Sequence, residues 1–367
     1  MKETLMRAKL PFYQTTIMAN FAQTGVVIIS LPRLLSENIG TNGWAALLIC
    51  SSVAAFNLLL ISFVYRLGKG RSIFEISQSA LPKFMLVPFF GILTGLWAIL
   101  GSLVGKEYIL ILKSLSFPSL HPAYLYILFE VLVFLLLTKG IMSISRLAVL
   151  SFYIIIWNFS LMIYAYEDFD LSRMTTFWFK DATHSFKGWL DVYISFLGYE
   201  LCLLIFPYTN EKTHLIRAFQ IANLITTFSY TLTAFVAFGF FSLHQLQHMK
   251  FPVLNLLSYV ELPFVKRIDD FVFNITLFRV LMTSVLYSWA AIETIKWILP
   301  TSNKQWIPYV ILTIFPLASL IIIPSALEKT EHWLGLFGFA EVGVAFLLPI
   351  FLLVILLINK YRGRNYA

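Results

Sequence analysis

Charge is scarce in this sequence. Only 13% of its 367 residues are Asp, Glu, Lys or Arg, about half the share usual in a soluble domain. That excludes a water-soluble globular protein. Cysteine is scarcer still. Cys50 and Cys202 both fall inside apolar runs, which excludes a disulfide framework and a cysteine metal cluster. There is no Walker loop and no glycine pattern of the dinucleotide-binding kind. His244 and His248 stand four residues apart, but Gln245 follows the first where a zinc protease needs an acid. These absences predict no enzyme, no cofactor and no metal.

Apolar residues are abundant: 59% of the chain is hydrophobic and 17% aromatic, with a mean hydropathy of +0.80. At about twenty residues per crossing, ten spans can be drawn at 12–35, 43–65, 84–112, 122–138, 147–166, 188–207, 218–242, 268–298, 306–324 and 338–359. The expected fold is therefore an all-α polytopic membrane protein. A single transmembrane domain fills 1–367, and the short loops leave no room for a soluble domain. The first span is of full length with no signal-type cleavage site, so it is read as retained.

The net charge of +8 is a signal of topology rather than of nucleic-acid binding, because the charges lie in short loops. With the N-terminus taken as cytoplasmic, sixteen Lys and Arg fall in loops on that side and nine on the other. The remaining two, Lys106 and Arg279, lie within spans. Both termini are thus placed inside.

Two spans are interrupted alike. The first runs through Ala22-Gln23-Thr24-Gly25-Val26-Val27 to Leu31-Pro32, and the sixth through Ser195-Phe196-Leu197-Gly198-Tyr199-Glu200 to Phe206-Pro207. Backbone freed by a break in lipid survives only where protein or a polar cavity satisfies it. Paired breaks in matching halves point to the ligand site of a transporter built from inverted repeats. Ten spans divide into five and five, giving expected repeats at roughly 12–166 and 188–359. Freed N–H groups suit a carboxylate and freed carbonyls suit an ammonium group, so the expected ligand class is a zwitterionic amino acid. The candidate contacts are Thr24, Gly25, Val26 and Val27 at the first break, and Gly198, Tyr199 and Glu200 at the second. Glu200 reads either as an ion- or ligand-linked carboxylate or as a structural cap on the freed N–H groups.

Other charged residues fall inside spans. Lys106 and Glu107 are expected to reach the interface. Asp191 and Glu341 are expected near solvated outer ends. Glu130 and Arg279 have no partner that the sequence names. The glycine pairs Gly91/Gly95 and Gly101/Gly105 in the third span have the spacing that permits close helix packing.

Three stretches resemble the B subunit of bacterial endospore germinant receptors, a branch of the amino acid–polyamine–organocation transporter superfamily. They are Gly25 to Pro32, Phe196-Leu197-Gly198-Tyr199-Glu200 with Pro207, and Phe251-Pro252 followed by Lys266-Arg267-Ile268-Asp269. Val27 stands where the family has a second glycine, which narrows the space beside the backbone, and Lys266 stands where it has an acid. The resemblance implies a LeuT-like fold with broken helices 1 and 6. It also implies structural or gating roles for Pro32, Pro207, Arg267 and Asp269, and a place in the spore inner membrane among membrane lipid. The implied partners are A-type and C-type receptor subunits and a small germinant such as an amino acid, with no nucleic acid. The implied function is germinant sensing; a proton- or sodium-coupled amino acid transporter is the alternative.

Overall fold

The computed structural model describes residues 9–182, 185–260, 267–300 and 306–361. Both chain ends and Lys266 lie outside them, so the expected topology of the termini and that part of the third motif stand outside the described residues. The described residues are helical with short connections.

Ten apolar segments follow one another. Six are helices long and apolar enough to cross a bilayer: segments 2 (Gly43–Leu67), 3 (Lys83–Ser116), 5 (Ile141–Tyr166), 7 (Leu215–Phe240), 8 (Ile268–Ile298) and 10 (Leu327–Tyr361). Segment 6 is a pair, Phe186–Ile194 and Tyr199–Tyr208, bent by 56°. Segments 4 (Pro122–Leu137) and 9 (Ile307–Ile322) have 16 residues each, about 24 Å at 1.5 Å per residue, short of the ~30 Å hydrocarbon core. Both carry proline in the first turn, where its missing N–H costs nothing. Segment 1 comes in three pieces: a helix Phe12–Gln23, a tight turn Val26–Ile29 and a helix Leu31–Asn38.

The bounds of segment 8 coincide with those expected. Segment 10 begins at Leu327, well before the expected residue 338. Glu328, Lys329, Glu331 and His332 depress hydropathy there, but none of them breaks a helix. This extension places Glu341 far inside the segment, fully buried, and not near a solvated end. Its Oε1 accepts the Trp97 indole N–H at 2.9 Å.

Apolar contact gives little net attraction between helices in lipid, so close packing and buried hydrogen bonds must hold them. Segment 3 packs along segment 8 at Gly101, where a Cβ would meet the Ser284 carbonyl oxygen and Ser288 Oγ at 2.9 Å each. A Cβ on Gly105 would strike the Phe129 ring of segment 4 at 2.3 Å. Gly91 meets nothing within 4 Å and Gly95 only makes ordinary contact with Phe315, so one of the two glycine pairs is a packing device. Large apolar side chains such as Phe56, Ile92, Phe228 and Ile321 point outward, as a lipid-facing surface requires.

Lys106 and Glu107 are buried, not interfacial. Lys106 Nζ donates to the Ser319 and Ile323 carbonyls at 2.7 Å each. These lie at the C-terminal end of segment 9, where the Ser319 carbonyl also accepts the Ile323 N–H at 3.3 Å, the Ile323 carbonyl has no helical partner and the dipole favours a cation. Lys106→Met should destabilise the protein by roughly 1–3 kcal/mol through the stranded carbonyl, read as a lower unfolding midpoint in detergent with Lys106→Arg less affected.

Candidate functional site

The two interruptions meet. Gly198 sits at φ +112°, and a Cβ there would lie 2.2 Å from the Ala22 carbonyl oxygen and 2.9 Å from the Gln23 nitrogen. Backbone therefore touches backbone where segments 1 and 6 break, and only a residue without a side chain allows it.

Most of the freed carbonyls are already taken by side chains. The Thr283 hydroxyl donates to the Phe21 carbonyl at 2.7 Å. The Tyr230 hydroxyl donates to the carbonyls of Gln23 and Ser195 at 3.0 and 3.2 Å. Gln23 Nε2 donates to the Phe196 carbonyl and to Asn223 Oδ1, and the Thr226 hydroxyl donates to Gln23 Oε1. Asn223 in turn holds Ser51 of segment 2. Satisfied buried networks of this kind fix one arrangement of helices. The freed N–H groups are treated differently. Those of Gly25, Val26 and Val27 donate no hydrogen bond among the described residues.

Beside these N–H groups lies a cavity of about 100 Å³. Segment 1 lines it with Gln23, Gly25, Val26 and Val27, segment 3 with Leu100 and Val104, and segment 8 with Thr283 and Tyr287. Segment 6 adds Asp191, Ser195 and Leu197, and the extended start of segment 10 adds Leu334 and Gly338. The walls are mainly apolar. The backbone of Gly25, Val26 and Val27 and the half-buried carboxylate of Asp191 border this same space.

The expected contacts divide. Gly25, Val26 and Val27 line the cavity. Thr24 is buried beside it, with its hydroxyl donated to the Asn20 carbonyl at 2.8 Å. Tyr199 turns away and is fully buried, its hydroxyl accepting from Asn57 Nδ2 at 2.8 Å and lying 2.6 Å from the Tyr193 hydroxyl. Glu200 stands behind the wall. Both its carboxyl oxygens accept the Gly198 N–H, at 2.9 and 2.8 Å, and Oε1 also accepts the Tyr287 hydroxyl at 3.1 Å. These are the contacts of a cap, relayed to the cavity through Tyr287. The Glu341 carboxyl adjoins that of Glu200.

Pro32 sits in the first turn of the helix that follows the first break, whereas Pro207 lies at the far end of the piece that follows the second, in the turn Phe206–Tyr208. Arg267, well exposed, pairs with Asp269 and Asp270 at 3.1 Å each, at the head of segment 8. The sequence reading missed Asp191, Thr283 and Tyr287 as site residues. Thr283 and Tyr287 stand four apart on one face of segment 8, but segment 8 is apolar on most sides and that spacing marks no face by itself.

The chain matches the spore germination protein family over residues 9–327. It is 24% identical to spore germination protein GerQB of Bacillus cereus, over 96% of this chain and 98% of that protein. It is 22% identical to spore germination protein A2 of Bacillus subtilis (strain 168), over 95% of each. Among solved structures it is similar to Mhp1, a nucleobase-cation-symport-1 family transporter, with a TM-score of 0.65 at 11% identity over 94% of this chain and 78% of that one. It is equally similar to a Na+-coupled sialic acid symporter, with a TM-score of 0.65 at 13% identity over 93% and 79%. These likenesses show a LeuT-like, all-helical transporter fold, and the protein is an integral multi-pass membrane protein. By the match over most of its length, this chain belongs to the spore germination protein family.

Proposed function

We propose that the chain is the germinant-binding, permease-like subunit of a spore receptor, and that its ligand is a small amino acid held between segments 1, 3, 6 and 8. The cavity of about 100 Å³ carries this reading. Its unpaired Gly25–Val27 N–H groups would receive the ligand carboxylate, and Asp191 would receive the ammonium group. The volume admits a small side chain and turns away an aromatic one. Ligand bound there favours one arrangement of the broken segments by no more than its difference in affinity for the two. That shift would pass to A-type and C-type subunits in the spore inner membrane, with both termini cytoplasmic and no catalytic step.

Gly25 offers the sharpest test. A Cβ there would meet Thr283 Cγ2 at 3.7 Å and Val104 Cγ1 at 3.8 Å, ordinary contact distances. Gly25→Ala should therefore fold normally while its methyl occupies the cavity. The expected result is binding of labelled small amino acids at least tenfold weaker, with an unfolding midpoint close to wild type. Wild-type binding in that variant would sink the proposal. The transporter alternative draws on the fold shared with ion-coupled symporters. It predicts uptake of the same amino acid into liposomes along a proton or sodium gradient, which a sensor would not give.

A further inference from the structure

Arg279 of segment 8 is the one buried cation of the described spans left without an acceptor. Lys106, the other, is held by two carbonyls. The Arg279 side chain is 7% exposed, forms no ion pair among the described residues, and its Nη1 has no hydrogen-bond partner. An arginine keeps its proton in proteins, and an uncompensated buried charge is strongly destabilising. The phenol of Tyr230 stands beside it, but its O–H is already donated to two carbonyls.

Arg279 lines a second cavity, of about 50 Å³, separate in its lining from the one above. Two further polar atoms without partners line the same space: Thr233 Oγ1 of segment 7 and Asn158 Oδ1 of segment 5. Thr233 is 1% exposed. Its hydroxyl has a proton to give. The Asn158 amide, turned half a revolution about its last bond, presents N–H₂ where Oδ1 now lies, and it loses nothing because Oδ1 accepts nothing. Three donors, one of them charged, thus converge from three segments on one small space. Ile28 and Ile29 of the first interrupted segment close it on another side. A water there would satisfy hydrogen bonds but leave the charge unbalanced.

We propose that this cavity is a binding site for one small monovalent inorganic anion, of the halide class, which serves as counter-ion to Arg279. The site is independent of the amino acid cavity and would be filled whether or not that ligand is bound.

The test uses the purified full chain in lipid nanodiscs, unfolded by heat in sodium chloride, sodium bromide or sodium gluconate at constant ionic strength and pH. Gluconate is too large for the space. The expected result is a saturable rise of the midpoint with chloride and with bromide and none with gluconate. Arg279→Gln should abolish the rise, and Thr233→Val, which keeps the charge and the side-chain volume, should raise the half-saturating chloride concentration at least fivefold. Equal midpoints of the wild type in chloride and gluconate would overturn the proposal. So would a wild-type chloride response in Thr233→Val, whether or not Arg279→Gln folds.

Discussion

Gly198→Ala is expected to unfold or misassemble this protein. Two penalties fall on one methyl group. At φ +112° a residue with a Cβ is strained, by about 1–3 kcal/mol. The methyl would also press on the Ala22 carbonyl at 2.2 Å and the Gln23 nitrogen at 2.9 Å, and overpacking of this kind costs a further 1–3 kcal/mol or so. The neighbour here is backbone and not the end of a flexible side chain, so it cannot step aside. It is also held: the Gln23 carbonyl is bound by Tyr230, and the Gln23 side chain by Phe196, Asn223 and Thr226. The measurement is the yield and unfolding midpoint of the purified variant. A midpoint within error of wild type would mean that segments 1 and 6 do not touch in this way. The contrast with Gly25→Ala is informative, because the same chemical change at the partner break meets only ordinary contacts.

Glu200 supplies the second large effect. Glu200→Ala strands the buried Gly198 N–H and the Tyr287 hydroxyl, and two such donors at about 1–3 kcal/mol each give a loss of roughly 2–6 kcal/mol. Glu200→Gln behaves differently. Its amide oxygen still accepts the Gly198 N–H and its N–H₂ donates to the Tyr287 oxygen, so only the Tyr287 O–H loses its acceptor and all but about 1–3 kcal/mol of the loss should return. Amino acid binding, measured on the folded glutamine variant, then separates the two roles. Retained binding assigns Glu200 to holding the break and positioning Tyr287. Lost binding in a stable protein assigns a role to the negative charge itself.

The residues that act on their own backbone were legible in the sequence. Gly25, Pro32, Gly198 and Pro207 mark places where helical segments end or begin. Glycine opens conformations closed to other residues, and proline lacks a donor, so each carries its meaning locally. The residues that act through their facing were not legible. The sequence puts Asp191 near a solvated outer end but gives no sign that it lines the cavity, which it does while half-buried. Lys106 was assigned to the interface and instead binds the end of segment 9. Hydropathy sets the edge of the tenth span eleven residues from the true helix start (338 − 327), which puts Glu341 near a solvated outer end, whereas it lies buried against Trp97.

The sequence by itself determined the membrane class, the positions of the glycines and prolines that punctuate the spans, and the family. The first two rest on composition and on local backbone chemistry, and the family on the resemblance carried by three motifs. Only the tertiary structure decided which charged side chain meets which partner. In water a helix shows its inner face by an apolar stripe, but in lipid both faces are apolar and the stripe disappears. Facing then depends on how neighbouring helices pack, at about 100° of rotation per residue. That packing turned Glu200 onto Gly198 and Tyr287, gave Asp191 to the cavity, and left Arg279 beside a small space with no carboxylate of the described residues to balance it.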